Sequence, residues 1–80
     1  MSPDKLLDRL LERPFQPFRA RLSDNSTIDV LYSPGSVVVG PTNAMMPLKY
    51  VDSEYGVKLV LRWKTVPLDQ IIELENLDTR

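Results

Sequence analysis

Eighty residues allow one domain and one small core, and a chain this short buries too little surface to be stable by a wide margin. It has no cysteine and no histidine, which excludes a disulfide framework, a thiolate metal site and the usual general base near neutral pH. Ten Lys and Arg against eleven Asp and Glu leave a net charge of -1, so attraction to nucleic acid or an anionic membrane is not a whole-molecule property.

Ser2-Pro3-Asp4 opens a helix with a capping hydroxyl, a proline at the first helical position and an acid beside the positive end of the dipole. Leu6, Leu7, Leu10 and Leu11 then share one face, while Asp8, Arg9, Glu12 and Arg13 take the other. This spacing predicts a helix over 3–13, stopped by Pro14. Because Asp8 and Arg9 interrupt the leucines, no signal-type apolar stretch forms, and no run in the chain approaches the ~18 residues that span a bilayer. The expected compartment is the cytoplasm.

Arg13-Pro14-Phe15-Gln16-Pro17-Phe18 is held extended by its prolines and is expected to anchor in the core at both phenylalanines. Phe18, Ala20 and Leu22 alternate with Arg19 and Arg21, the period of a half-buried strand. A turn of Ser23-Asp24-Asn25-Ser26 follows, and Ile28, Val30 and Tyr32 complete a hairpin. After a turn at Ser33-Pro34-Gly35-Ser36, residues 37–39 read as a short buried strand, broken by Gly40-Pro41. Residues 40–56 read as a long loop, with an edge strand at most over 48–51 because Pro47 opposes a central one. The clearest strand of the chain places Val57, Leu59, Leu61 and Trp63 on one face, expected to be the core face, and Lys58, Val60, Arg62 and Lys64 on the other. One helical turn near residues 66–70 leads to a last strand with Glu73 and Glu75 outward. The expectation is a single domain over 1–80, mainly β with one N-terminal helix. Residues 18–77 would form a small five-stranded SH3-like or Sm-like barrel, or a strongly curled antiparallel meander.

The leucine helix, the Arg13-Pro14-Phe15-Gln16-Pro17-Phe18 segment, Arg21-Leu22-Ser23-Asp24 and the ending Val66-Pro67-Leu68-Asp69-Gln70-Ile71-Ile72-Glu73-Leu74 resemble a group of short uncharacterised bacterial proteins. In that group a QPFRPF-like segment leads into a strand ending in L-x-D-G. The resemblance implies a bacterial protein with a helix and a small barrel, and it brings no assigned activity. Asn25 stands where the group usually has glycine, and Tyr32-Ser33-Pro34 occupies the place of a histidine often seen there.

Three functional classes compete. Met45, Met46, Leu48 and Tyr50, in the long loop beside Pro41 and Pro47, would make an adaptable apolar surface for a partner. Open strand edges near 37–39 and 48–51 would add a pairing site for a partner or a second copy. Alternatively, Arg19, Arg21, Arg62 and Lys64 would form the nucleic-acid face of an Sm-like RNA-binding protein. Against this, Glu73 and Glu75 would lie between two basic rows and turn the outer face into a ladder of opposite charges. A structural subunit without a ligand is the third class. Asp52 with Glu54, or Asp24 with Asp69, are the only carboxylate pairings to weigh for catalysis or a hard cation. There is no histidine to activate a serine, and Gly35, Gly40 and Gly56 make no phosphate loop. The reading is a non-enzymatic interaction module without cofactor, metal or membrane.

Overall fold

The computed structural model describes residues 1–33 and 35–77. Pro34, within the expected turn at 33–36, and residues 78–80 of the expected domain lie outside them. Helix α1 spans Pro3–Leu10. Six strands follow among the described residues: β1 (Phe18–Leu22), β2 (Thr27–Val30), β3 (Val38–Val39), β4 (Asn43–Asp52), β5 (Lys58–Pro67) and β6 (Ile71–Asn76). A single 3-10 turn, Leu68–Gln70, joins β5 to β6.

The helix starts where the sequence places it. The Ser2 hydroxyl accepts from the Lys5 N–H at 3.3 Å and satisfies one of the free donors of the first turn. It ends earlier than predicted, with Leu11 as its last capped residue, because Arg13 precedes a proline and cannot stay helical. Leu6 and Leu10 are buried. The following segment is pinned as expected, with the Phe15 and Phe18 rings edge to face, their centroids 6.1 Å apart. The Arg9 guanidinium lies 4.8 Å over the Phe18 ring and reaches the Asn76 amide oxygen, tying α1 to the end of β6.

The strands form two antiparallel three-stranded sheets, β2-β1-β6 and β3-β4-β5. They do not close into a barrel. β6 lies beside β1 as expected, but its other side does not meet β5. The expected strand at 37–39 contracts to Val38–Val39. The expected loop at 40–56 is largely a strand, since β4 runs for ten residues through Pro47. Pro47 is tolerated because β3 pairs only with Ala44 and Met45. Beyond them β4 is an edge on that side, where a missing N–H breaks no ladder. The register of β4 against β5 is irregular just after it, between Pro47 and Tyr50.

The core gathers Leu6 and Leu10 of α1, Phe18 and Ala20 of β1, Val30 of β2, Met46 of β4, Val66 of β5 and Ile71 of β6. Every strand contribution from the β4–β5 hairpin comes from its end nearest the first sheet. In the β1–β2 turn, Asn25 takes φ +72°, and its N–H donates to the Leu22 carbonyl at 2.9 Å. Asp24 accepts from the Ser26 hydroxyl and N–H, which hold its carboxyl below the ordinary value. The left-handed backbone at residue 25 favours asparagine or glycine. Asn25→Ala is expected to cost about 1 kcal/mol and Asn25→Gly no more than a few tenths, measured by urea denaturation; equal losses in both variants would contradict this account.

Candidate interaction surface

The β4–β5 hairpin carries the features a partner would meet. Its tip is built by Ser53, whose hydroxyl accepts from the Tyr55 and Val57 N–H groups at 3.3 and 3.2 Å. Gly56 at φ +76° supplies the left-handed residue that closes the turn. At about 3.4 Å per residue, a ten-residue strand runs roughly 31 Å, close to the 36 Å longest extent of the molecule. The strands of the first sheet are four to six residues long. The hairpin therefore runs on past Tyr50, its last contact with the first sheet, and among the described residues the face of β5 turned away from buried Met46, Ala44 and Val66 has no layer over it.

Its exposure follows. From Leu48 to Asp52 and from Lys58 to Lys64 no residue is buried. Val57, Leu59, Leu61 and Trp63, expected to face the core, keep 55, 50, 55 and 38 % of their surface exposed. Their alternation is real, but the face they share has no protein over it. Val51, 43 % exposed, stands directly across from Leu59 and extends the same face.

The four residues expected to form the partner surface divide. Met46 is fully buried in the core, whereas Met45 is 40 % exposed and pairs across from Val38. Consecutive strand residues point to opposite faces, so the two methionines cannot act together. Leu48 is exposed and Tyr50 half-buried. Both line a groove of about 270 Å³ between β2 and β4, with Ile28, Leu31 and Pro47. The Tyr50 hydroxyl donates to the Asp29 carbonyl at 2.9 Å and accepts from the Leu31 N–H at 3.1 Å, stitching the two sheets together. Its ring packs at 5.8 Å on Tyr32. Burial pushes its phenol above the ordinary value.

The expected nucleic-acid face divides as well. Arg19 pairs with Asp29 at 2.8 Å and Arg21 with Glu73. Hydrogen bonding to these carboxylates holds both guanidinium groups more firmly charged. In register, Asp29, Arg19 and Glu75 form one row across β2, β1 and β6, and Thr27, Arg21 and Glu73 the next. This is the ladder of opposite charges, built on one basic row and not two, since the cations of β5 belong to the other sheet. Arg62 and Lys64 are exposed on β5, and among the described residues neither makes an ion pair. The carboxylates weighed for catalysis are dispersed: Asp52 pairs with Lys58 at 3.1 Å, Asp24 with Ser26, and Glu54 and Asp69 are exposed in turns. Among the described residues no group of three or more acidic, histidine or cysteine side chains is placed to hold a metal ion, and no helix is long and apolar enough to cross a membrane. No family model, curated protein or solved structure matches the chain.

Two consequences can be measured. Met46→Ala is expected to cost about 2–5 kcal/mol and Met45→Ala less than about 1, because only the former empties a packed site; urea melts of the pair decide it. Tyr50→Phe removes two hydrogen bonds and is expected to cost about 1–2 kcal/mol at pH 7. The folded phenol titrates above the unfolded value of 10.0, so the Tyr50 contribution is complete below that pH and is lost as pH rises towards the folded value. Denaturation series from pH 7 to 11 should show this part of the alkaline loss in the wild type and not in Tyr50→Phe.

Proposed function

We propose that this protein is a small non-enzymatic interaction module whose working surface is the distal half of the β4–β5 hairpin. The observation that carries this reading is the uncovered row of Val51, Val57, Leu59, Leu61 and Trp63. Scattered apolar side chains on a surface need no explanation, but a contiguous set with an aromatic anchor marks a contact site. An open strand edge runs beside it, so an extended segment docking there would gain backbone hydrogen bonds from β5 and apolar contact from the row. Leu48 and Tyr50, lining the groove at the foot of the same hairpin, extend the surface towards the first sheet.

The basic residues enter as the rim of this surface. With Arg19 and Arg21 held by Asp29 and Glu73, a polyanion would find only Lys58, Arg62, Lys64 and Lys49 near the hairpin, in a chain of net charge -1. Phosphate binding is built from many such contacts and weakens steeply with salt.

Leu59→Ser with Leu61→Ser is the deciding variant. If the face is reserved for a partner, the double variant keeps its unfolding free energy within about 1 kcal/mol of the wild type, because half of each of those side chains is exposed and neither belongs to the core. A loss of about 3 kcal/mol or more, as expected of packed leucines, would make the row part of the protomer's own core and end this reading. Titration with a fluorescent oligouridine is the companion measurement. Tight binding that disappears with salt and with Arg62→Glu and Lys64→Glu would replace a protein partner by RNA.

A further inference from the structure

Of the four edge strands of the two sheets, β2 and β6 in one and β3 and β5 in the other, β5 and β6 are the longest and are of opposite character. Among the described residues, β5 pairs only with β4, and β6 only with β1. From Lys58 to Pro67 β5 carries Lys58, Arg62 and Lys64 and no acid. From Ile71 to Asn76 β6 carries Glu73 and Glu75 and no cation. Long edges with apolar residues are pairing sites unless something opposes it. Here the charges decide which pairing is opposed. Two β5 edges brought together set lysine and arginine against one another, and two β6 edges set glutamate against glutamate. Like charges directly opposite destabilise a strand pair, and unlike charges stabilise it.

The apolar residues select the same partner. On β5 the cations share one face and Leu59, Leu61 and Trp63 the other. On β6, Glu73 and Glu75 lie in register with Arg21 and Arg19, whereas Leu74 is paired with Ala20 on the core side of its sheet. When β5 is laid beside the β6 of another copy so that its cations flank the glutamates, its apolar row falls on the face of Leu74. That face is the one on which the copy's own core is built. One matching of the faces of β5 and β6 satisfies both the charges and the apolar row.

From this we infer that the occupant of the hairpin face is a second copy of the chain, joined head to tail through β5 of one protomer and β6 of the next. The inference rests on the interaction-module reading and names its partner. The contact uses two different patches, so it does not close on itself in a pair. Each added copy leaves one β5 and one β6 edge open, and the assembly grows until it meets its own end as a ring or continues as a filament. The two edges cannot satisfy each other within one chain. The three-residue turn between them passes from one sheet to the other, and β5 and β6 of one protomer lie in different sheets.

Sedimentation velocity on the full chain, with one variant for each edge, tests this. Arg62→Glu with Lys64→Glu reverses the β5 edge. Glu75→Lys reverses part of the β6 edge and leaves the Arg21–Glu73 pair in place. The wild type is expected at two or more times the 9.2 kDa protomer mass, falling as salt is added. Each variant alone is expected as protomer, and mixing equal amounts of the two is expected to give a species of twice the protomer mass, because a mixed pair joins through its one unaltered β5 and one unaltered β6 edge and leaves the altered edges outward. Circular dichroism of each variant establishes that it is folded. If Glu75→Lys alone assembles like the wild type, the contact is β5 to β5, and if the β5 variant alone does so, it is β6 to β6; either overturns the head-to-tail arrangement. A wild type that stays at protomer mass at every concentration and salt overturns self-association. Should Leu59→Ser with Leu61→Ser remain stable in that case, the face belongs to a foreign strand and the module reading survives; if that variant unfolds, both fall.

Discussion

The hairpin of β4 and β5 is twice as long as the strands it packs against, and this mismatch governs the rest of the molecule. A core can form only where two layers face each other. Sheet β2-β1-β6 offers four to six residues of depth, so Ala44, Met46 and Val66 find full cover and Tyr50 beyond them only partial cover. The N-terminal helix cannot make up the difference. Its two turns are spent closing the other end, where Leu6 and Leu10 meet Phe18 and Arg9 reaches Asn76. Tyr50 is the last side chain of the hairpin to be held by the first sheet, through Asp29 and Leu31. Past it, the hairpin is stabilised by its own ladder and by the Ser53 turn.

Charge is distributed along the same division. Within the first sheet the ionic groups are consumed in pairs across neighbouring strands, Arg19 with Asp29 and Arg21 with Glu73. Exposed pairs of this kind add little stability each, but they fix which residues stand opposite one another, and so the register of three short strands. In the second sheet the cations of β5 beyond Lys58 have no such partners among the described residues. A near-zero net charge thus conceals two local excesses, positive along one open edge and negative along the other.

The sequence carried local structure well and tertiary extent poorly. Ser2-Pro3, the Phe15 and Phe18 anchors, the turn at residues 23–26 and the one-turn link before the last strand each announce themselves through a residue whose chemistry leaves little choice. β4 was hidden by Pro47, which forbids a central strand but is harmless where β3 has already ended. Trp63 misled for a different reason. Alternation reports that Val57, Leu59, Leu61 and Trp63 share a face, and says nothing about which face it is: in register with β4 it is Lys64 and Val66 that stand opposite buried Met46 and Ala44, so the row lies on the outer face of its sheet. The candidate surface was legible in the sequence only in part: Leu48 and Tyr50 lie on the hairpin, whereas Met45 and Met46 point to opposite faces because adjacent strand residues diverge. The signal for the apolar row was present in the run of strand-forming residues from 57 to 66, twice as long as the run from 18 to 22.

A short chain without disulfides has few ways to make its margin of stability larger. Covering the outer face of the hairpin internally would require a further layer, and among the described residues none lies over it. Covering it with another molecule adds burial without adding chain, provided that wrong contacts are discouraged. In the proposed assembly the alternation on β5 would do both: its apolar row would supply the burial, and its cations would oppose another β5. The side chains left uncovered on the outer face of β5 in one protomer would then be the selective edge of the proposed assembly.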